Sequence, residues 1–230
     1  MMVRLQPIRE AAEGLLTHVP DAAVWWAPRR VGWWTGALFA VGSACFLVAP
    51  FPGFVEWVGT GADGVVFFVG SIFFTSAAFL QALRAVDRLD RWSSLVQFAG
   101  TIFFNVSTFR ALQAGLDASA YDHLVWSPDV LGSICFLVSG AIAYGAVRRR
   151  PRGLPWWIAI VNLAGCLAFG ISAVAGYVVH STGDALDLAA ANSWTSLGAL
   201  CFLAGSVLLL PASIDSASAE RKSVPIVPTG

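Results

Sequence analysis

The side chains with the clearest capacity for chemistry form one polar stripe in an otherwise apolar part of the sequence. Its members are Ser94, Gln97, Thr101, Asn105 and Thr108. Their spacing of three or four residues places them on one face of a helix. Asn162 and Ser172 offer the same kinds of hydrogen-bonding group farther along the chain. The pattern indicates either hydrogen bonds between helices or the lining of a translocation path or ligand pocket.

Charged and imidazole side chains between the apolar stretches are a second set of candidates. Arg110 either extends toward lipid headgroups or pairs with an aspartate. The aspartates considered as partners are Asp117, Asp122 and Asp129. His123 and His180 have the chemistry to join carboxylates around a divalent cation, but no H-E-x-x-H spacing is present. We therefore interpret these residues as solvated loop positions and predict no metal site.

Several kinds of active site are excluded because the residues they need are absent from the apolar stretches. The only lysine is Lys222, near the C-terminus, so a retinal Schiff base inside an apolar stretch is excluded. No histidine stands in the middle of such a stretch, which removes the usual axial ligands of haem. The sequence also lacks a nucleophile elbow and a P-loop. We expect no enzyme and no cofactor.

The composition is that of a membrane protein. Hydrophobic residues make up 57% of the 230 residues and charged residues only 12%, against about 25% charged residues in soluble domains. Fourteen basic and fourteen acidic residues balance, which predicts no surface for nucleic acid. None of the four cysteines forms a C-x-x-C pair, so neither a disulfide framework nor a zinc site is expected.

Six stretches are long and apolar enough to cross a bilayer, which takes about 20 residues. They cover residues 31–49, 64–83, 92–112, 130–147, 154–179 and 190–210. The predicted fold is an all-α membrane protein with a six-span helical bundle in residues 29–214. Residues 1–28 show helical spacing of apolar residues and predict an amphipathic helix at the membrane surface. Residues 215–230 read as a disordered tail.

Basic residues are distributed unevenly between the connections of these six stretches. Thirteen of the fourteen fall on one side of the predicted membrane, and only Arg110 falls on the other. Cytoplasmic loops hold the excess of basic residues in membrane proteins. We therefore predict a multi-pass protein of the plasma (inner) membrane with both termini in the cytoplasm.

Small residues occur in every predicted span and favour close packing of helices in lipid. They are Gly42, Ser43, Gly70, Ser71, Gly100, Gly132, Ser133, Gly165, Gly205 and Ser206. The segments 42–48 and 132–138 differ at one position of seven. This match pairs the first span with the fourth and suggests two inverted three-span repeats, as in transporters. An alternative alignment places residues 97–107 over residues 162–172 and gives parallel two-span repeats.

The segment F-F-V-G-S-I-F-F at residues 67–74, preceded by Arg29-Arg30 and by G-S-A-C-F at residues 42–46, resembles the bacterial YrhK-like membrane domain. That domain is a small two-span hairpin with F-x-x-G-S patterns. The resemblance covers about residues 29 to 88. It implies a bacterial membrane protein and no activity, cofactor or catalytic residue.

These features lead us to expect a non-enzymatic membrane protein that packs with itself, as a homo-oligomer, or with another membrane protein, among membrane lipids. One alternative is a small permease or channel for a neutral or lipid-like solute, with the polar stripe along its path. Another is a protein that binds an apolar pigment or quinone among its many aromatic side chains.

Overall fold

The computed structural model describes residues 25–113, 115–150 and 152–223, with side chains as far as residue 210. Over these residues the chain is helical, apart from connections and one isolated bridge between Val178 and Ala185. The protein is therefore all-α. The amphipathic helix predicted for residues 1–28 falls almost entirely outside the described residues.

Six of the helices in the described part of the chain are long. They are α1 (Val31–Val48), α3 (Thr60–Arg84), α4 (Arg88–Ala111), α6 (Ser127–Val147), α7 (Leu154–Ala175) and α8 (Leu188–Ser223). Two short helices, α2 (Pro52–Val58) and α5 (Ala118–Tyr121), lie in the connections, and a π-helical turn (Asp122–Trp126) leads into α6. Helix α8 continues into residues 215–223, where the sequence predicts the start of a disordered tail.

Five of these helical segments are long and apolar enough to cross a membrane. They are α1, α3, the segment from α5 through α6, α7 and the first 23 residues of α8. The chain is thus a multi-pass membrane protein. Helix α4, the third predicted span, has 24 residues but a more polar composition. The five apolar helices support an all-α membrane protein, and a sixth span stays a prediction.

The six long helices form a closed ring. Each packs against the next long helix in the chain, and α8 packs against α1 to close the circle. Neighbours run in opposite directions because the connections between them are short. The arginines therefore collect at one end of the ring, the arginine end, where Arg84 lies with Arg150. Asp122 and His180 meet at the opposite end, the aspartate end.

Glycines allow close contact between helices that follow one another in the ring. They form three reciprocal pairs, Gly42 with Gly70, Gly100 with Gly132, and Gly165 with Gly198. A Cβ atom added at Gly42 would lie 2.9 Å from the carbonyl oxygen of Gly70. It would also lie 2.6 Å from the ring of Phe74, four residues after that partner glycine. The other pairs repeat this relation, so the packing unit is a hairpin of two helices.

This packing differs from the sequence-based expectation in two ways. Gly205 was expected to pack against another helix, but no atom lies within 4 Å of a Cβ added there. Gly198, seven residues earlier, makes the close contact in α8 instead. The three hairpins also give no support to a division into two inverted three-span halves.

Six phenylalanines, one from each long helix, meet at the centre of the ring. They are Phe46, Phe74, Phe104, Phe136, Phe169 and Phe202. Each follows one of the paired glycines by four residues. Neighbouring rings have centroids 5.0 to 6.4 Å apart, mostly in edge-to-face contact, which is the favourable range for aromatic pairs. We call this set the phenylalanine layer.

Candidate functional site

Residues that face the axis of the ring recur every seven positions. In α4 they are Asp90, Gln97, Phe104 and Ala111, and in α7 they are Pro155, Asn162 and Phe169, followed by Gly176 at its C-cap. A seven-residue period keeps the same side of a helix facing its partners in a gently supercoiled bundle. The same repeat therefore places a cavity, the phenylalanine layer and a second cavity in succession along the axis.

The first cavity lies at the arginine end and has a volume of about 460 Å³. All six long helices contribute to its wall. Small residues leave the space, since Gly32, Ala143, Ala146, Ala159 and Gly205 are among those that line it. The volume lies within the range of about 300 to 1,000 Å³ that is typical of ligand sites.

The arginine-end cavity changes in character from its mouth to its floor. Exposed Arg84, Asp90 and Arg150 lie at the mouth. Deeper in the wall are three amide side chains, Gln81, Gln97 and Asn162, which we call the amide layer. The floor is aromatic and consists of Phe39, Phe74 and Phe202.

The hydroxyl groups of this cavity are already hydrogen-bonded, whereas the amides are not. Thr35 donates to the carbonyl of Val31 at 3.3 Å, and Ser93 donates to the carbonyl of Ser139 at 3.0 Å. Ser206 likewise donates within its own helix. Within the part of the chain that the structure describes, nothing hydrogen-bonds the side-chain amides of Gln81, Gln97 and Asn162. These amides are therefore available to a bound molecule.

The second cavity lies at the aspartate end and measures about 200 Å³. Phe46 and Phe169 of the phenylalanine layer form part of its wall. Its polar residues are Ser107, Thr108, Tyr121, Asp129, Ser172 and Thr195. The two cavities share no lining residue, so the phenylalanine layer separates them.

The residues of the polar stripe in α4 have four different environments. Gln97 alone lines the arginine-end cavity. Thr101 donates to the carbonyl of Phe98 at 2.7 Å inside its own helix, and Ser94 is buried with its hydroxyl unpaired among the described residues. Asn105 donates to Thr75 at 2.8 Å, and Thr108 is 3.0 Å from the hydroxyl of Ser71 in α3.

The two predicted polar residues of α7 lie on opposite sides of the phenylalanine layer. Asn162 joins Gln97 in the arginine-end cavity. Ser172 lines the aspartate-end cavity, where it is 2.6 Å from the Thr195 hydroxyl and donates to the carbonyl of Ala191 at 2.8 Å. The polar residues therefore divide between the two interpretations given above: some form hydrogen bonds between helices, and others line a cavity.

Arg110 does not reach the aspartates in the described part of the chain. Its Nη1 atom lies 3.5 Å from Oε1 of Gln113. Asp122, only 7% exposed, lies with its Oδ2 atom 3.5 Å from Nε2 of His180. The described residues contain no group of three or more His, Cys, Asp or Glu side chains that could hold a metal ion.

The sequence analysis does not identify Gln81 as a site residue, and it names Asp129 only as a possible partner of Arg110. Gln81 lies close to the end of its span, and Asp129 stands just before the predicted start of another. The structure places Gln81 in the amide layer and Asp129 in the aspartate-end cavity. Each is seven residues from a phenylalanine of the central layer, Phe74 or Phe136. That spacing is the signal by which the sequence reveals them.

No family model matches this sequence, and neither a curated protein nor a solved structure is similar enough to count as a match. The resemblance of residues 29 to 88 to the YrhK-like domain therefore stays a prediction.

Proposed function

We propose that the protein is a small permease or channel that carries a neutral solute along the axis of the six-helix ring. The observation that supports this proposal is the sequence of cavities on that axis. A cavity of about 460 Å³ and one of about 200 Å³ lie on opposite sides of the phenylalanine layer. All six long helices line both cavities, which is the arrangement expected of a closed path through a bundle.

The proposal includes α4 as a sixth span. Its 24 residues extend about 36 Å at about 1.5 Å per residue, enough to cross the hydrocarbon region of about 30 Å. Its polar side chains face the interior of the ring. The side that faces outward is apolar, with Leu95, Ile102, Val106 and Phe109 each between 42% and 52% exposed. The low mean hydropathy of α4 thus reflects its inner face, and its lipid-facing side resembles that of the other spans.

With six spans, the positive-inside rule assigns the arginine end to the cytoplasm. Arg84 and Arg88 at helix ends and Arg149 in a connection lie at that end, whereas the aspartate end holds Asp117 and Asp184. The larger cavity then faces the cytoplasm of the cell. Both termini lie on the same side in this arrangement, in a plasma membrane.

The phenylalanine layer is the proposed gate. Its six rings are between 2% and 6% exposed, and a ring of apolar side chains this close together excludes water. Passage requires these rings to rotate or the helices to shift. Each ring packs beside a glycine of the neighbouring helix, which leaves room for such motion. Gly42 and Gly70, for example, present no side chain that would block the motion of Phe74 and Phe46.

The alternatives have less support in the structure. The small residues that suggested a partner protein are largely occupied by helix contacts within the ring, as at Gly100 and Gly165. A second copy or a partner is therefore not needed to explain them. An apolar pigment or quinone in the arginine-end cavity would leave the amides of Gln81, Gln97 and Asn162 without partners, and this costs about 1 to 3 kcal/mol for each buried group.

Flux in reconstituted vesicles tests the proposal. Purified protein in liposomes is exposed to benzamide, acetamide or urea, and solute entry is followed by stopped-flow light scattering. We expect entry of at least one of these solutes to be several times faster than in protein-free liposomes. The variants Gln97→Leu and Asn162→Leu should slow it, whereas Gln113→Leu, an exposed amide at the aspartate end, should not. Entry equal to that of empty liposomes for every solute would contradict the proposal.

A further inference from the structure

We infer that the amide layer is a binding site for a small neutral molecule with an aromatic or similarly flat apolar face and an adjacent hydrogen-bond donor and acceptor. This inference deepens the proposed function, since it names the class of solute that the arginine-end cavity holds. It rests on the state of the cavity's polar groups, the nature of its floor and the charges at its mouth.

The amides define the polar half of the site. Gln97 is only 7% exposed, and within the described residues its side chain has no hydrogen-bond partner although it borders an open cavity. A side-chain amide offers a donor and an acceptor side by side. It therefore pairs best with a molecule that presents the complementary pair, as when an amide side chain contacts the edge of a base through two bonds. Gln81 and Asn162 line the same cavity with the same groups.

The floor defines the apolar half of the site. Phe39, Phe74 and Phe202 lie beneath the amides. The rings of Phe39 and Phe74 are in edge-to-face contact at 5.5 Å, and those of Phe74 and Phe202 at 5.8 Å. A polyol placed there would lose hydration of its hydroxyl groups against the rings without replacing it. A flat ring gains aromatic contact instead.

The charges indicate a neutral ligand. Arg84 and Arg150 at the mouth are accompanied by Asp87 and Asp90, so neither sign dominates. The other residues that line this cavity, including those around the amide layer, are uncharged. An ion at that depth would have no opposite charge beside it, and burial of an unpaired charge is strongly unfavourable.

Four small molecules test separately the apolar ring, the donor–acceptor pair and the neutral charge that this site is expected to require. Benzamide has the ring and the donor–acceptor pair, benzoate replaces the pair by a charge, ethylbenzene keeps only the apolar part, and glycerol keeps only hydrogen-bonding groups. Binding of each to the full-length protein in nanodiscs is measured by equilibrium dialysis, with competition against labelled benzamide. We expect saturable binding of benzamide and at least tenfold weaker binding of the other three.

Variants locate the site within the cavity. Gln97→Met and Asn162→Leu should each weaken benzamide binding about tenfold, as expected for loss of one or two hydrogen bonds. The control Gln113→Met makes the same chemical change at an exposed position of the aspartate end and should bind as the unmodified protein does. Gel filtration establishes whether each variant is folded. If one is not, Gln81→Met is tested in its place.

The inference is overturned if folded protein shows no saturable benzamide binding. It is also overturned if benzoate, ethylbenzene or glycerol binds as tightly, or if Gln113→Met weakens binding as much as Gln97→Met. Binding in nanodiscs is independent of transport. Benzamide binding without flux of any solute would therefore reject the permease and retain the site, whereas flux without such binding would reject the site alone.

Discussion

The two cavities occupy equivalent places on either side of the phenylalanine layer, but their polar groups are in different states. At the aspartate end, Ser172 pairs with Thr195, and Thr108 pairs with Ser71. At the arginine end the amides of Gln97 and Asn162 have no partner among the described residues. The two hydroxyl pairs at the aspartate end hold neighbouring helices together, while the amides at the arginine end are free to bind a solute.

The comparison also explains why polar residues in one membrane helix can have different structural roles. Asn105 and Gln97 are both amides of α4, eight residues apart. Asn105 points toward α3, where Thr75 accepts its hydrogen bond. Gln97 points toward the axis, where the small residues of α6 and α7 leave room. The neighbouring helix, and not the residue type, decides which of the two roles an amide has.

The largest effect is expected at the layer that separates the two cavities. Phe136 is 2% exposed and contacts Phe104 at 5.0 Å and Phe202 at 5.7 Å. The variant Phe136→Ala removes these contacts and should cost about 3 to 5 kcal/mol of stability, as for buried phenylalanines elsewhere. It should also increase solute leakage, because the opening joins the two cavities. Thermal unfolding in detergent and vesicle flux measure the two effects.

Phe109→Ala is the matched control for this prediction. Phe109 belongs to α4 but is 52% exposed on the lipid-facing side, so lipid can replace the lost ring. The control should unfold at nearly the temperature of the unmodified protein and show no leakage. Equal losses in the two variants would mean that the phenylalanine layer has no special role.

A smaller effect is expected from glycines at two levels of α8. A Cβ at Gly198 would meet the ring of Phe169 and lie 3.0 Å from the carbonyl oxygen of Gly165, whereas Gly205 has open space. Gly198→Ala should therefore cost about 1 to 3 kcal/mol through overpacking. Gly205→Ala should be neutral or stabilise by up to about 1 kcal/mol, because alanine favours helix. Denaturant or thermal titration of the two variants gives the difference, and the reverse order would refute the assigned packing.

Polar substitutions at the aspartate end should show small losses of stability. Thr195→Val removes the hydroxyl that is 2.6 Å from Ser172. Hydrogen bonds between membrane helices contribute about 0.6 kcal/mol on average, so a loss of this order is expected with little change in solute binding. A variant that kept full stability but lost flux would place a functional site at this end as well.

Polar substitutions at the arginine end should show the opposite pattern. Gln97→Leu removes an amide that has no partner in the described structure, so its stability should be unchanged or slightly higher while flux falls. Unfolding and flux measured on the same preparation distinguish the two outcomes. Clear destabilisation by Gln97→Leu would show that this amide is a structural group, like Asn105.

Much of the helical framework follows from the sequence, because apolar length and helical spacing depend on local residues. Predicted spans at 31–49 and 154–179 correspond to α1 and α7 with small shifts at their ends. Gly198 was missed because the Gly205-Ser206 pair in the same span resembles the small-residue pairs of the other spans, whereas Ala199 follows Gly198. The regular spacing to Phe202 would have revealed it.

The cavities could not be predicted in the same way, because they depend on which helices become neighbours. Ring closure between α8 and α1 brings Ser206 and Thr35 to one cavity from distant parts of the chain. The division of the polar stripe likewise depends on the direction in which α3 approaches α4. The polar residues can be listed from the sequence, but only the packing shows that Gln97 lines a cavity while Thr108 contacts Ser71.

Accessibility of two positions in α4 tests the account most directly. Gln97→Cys and Ala111→Cys are introduced separately after the four native cysteines have been replaced, and a membrane-impermeant thiol reagent is added to one side of sealed vesicles at a time. A path interrupted by the phenylalanine layer predicts reaction of position 97 only from the side of the arginine end and of position 111 only from the other side. Reaction of both positions from the same side would show that α4 does not cross the membrane and that the cavities do not form such a path.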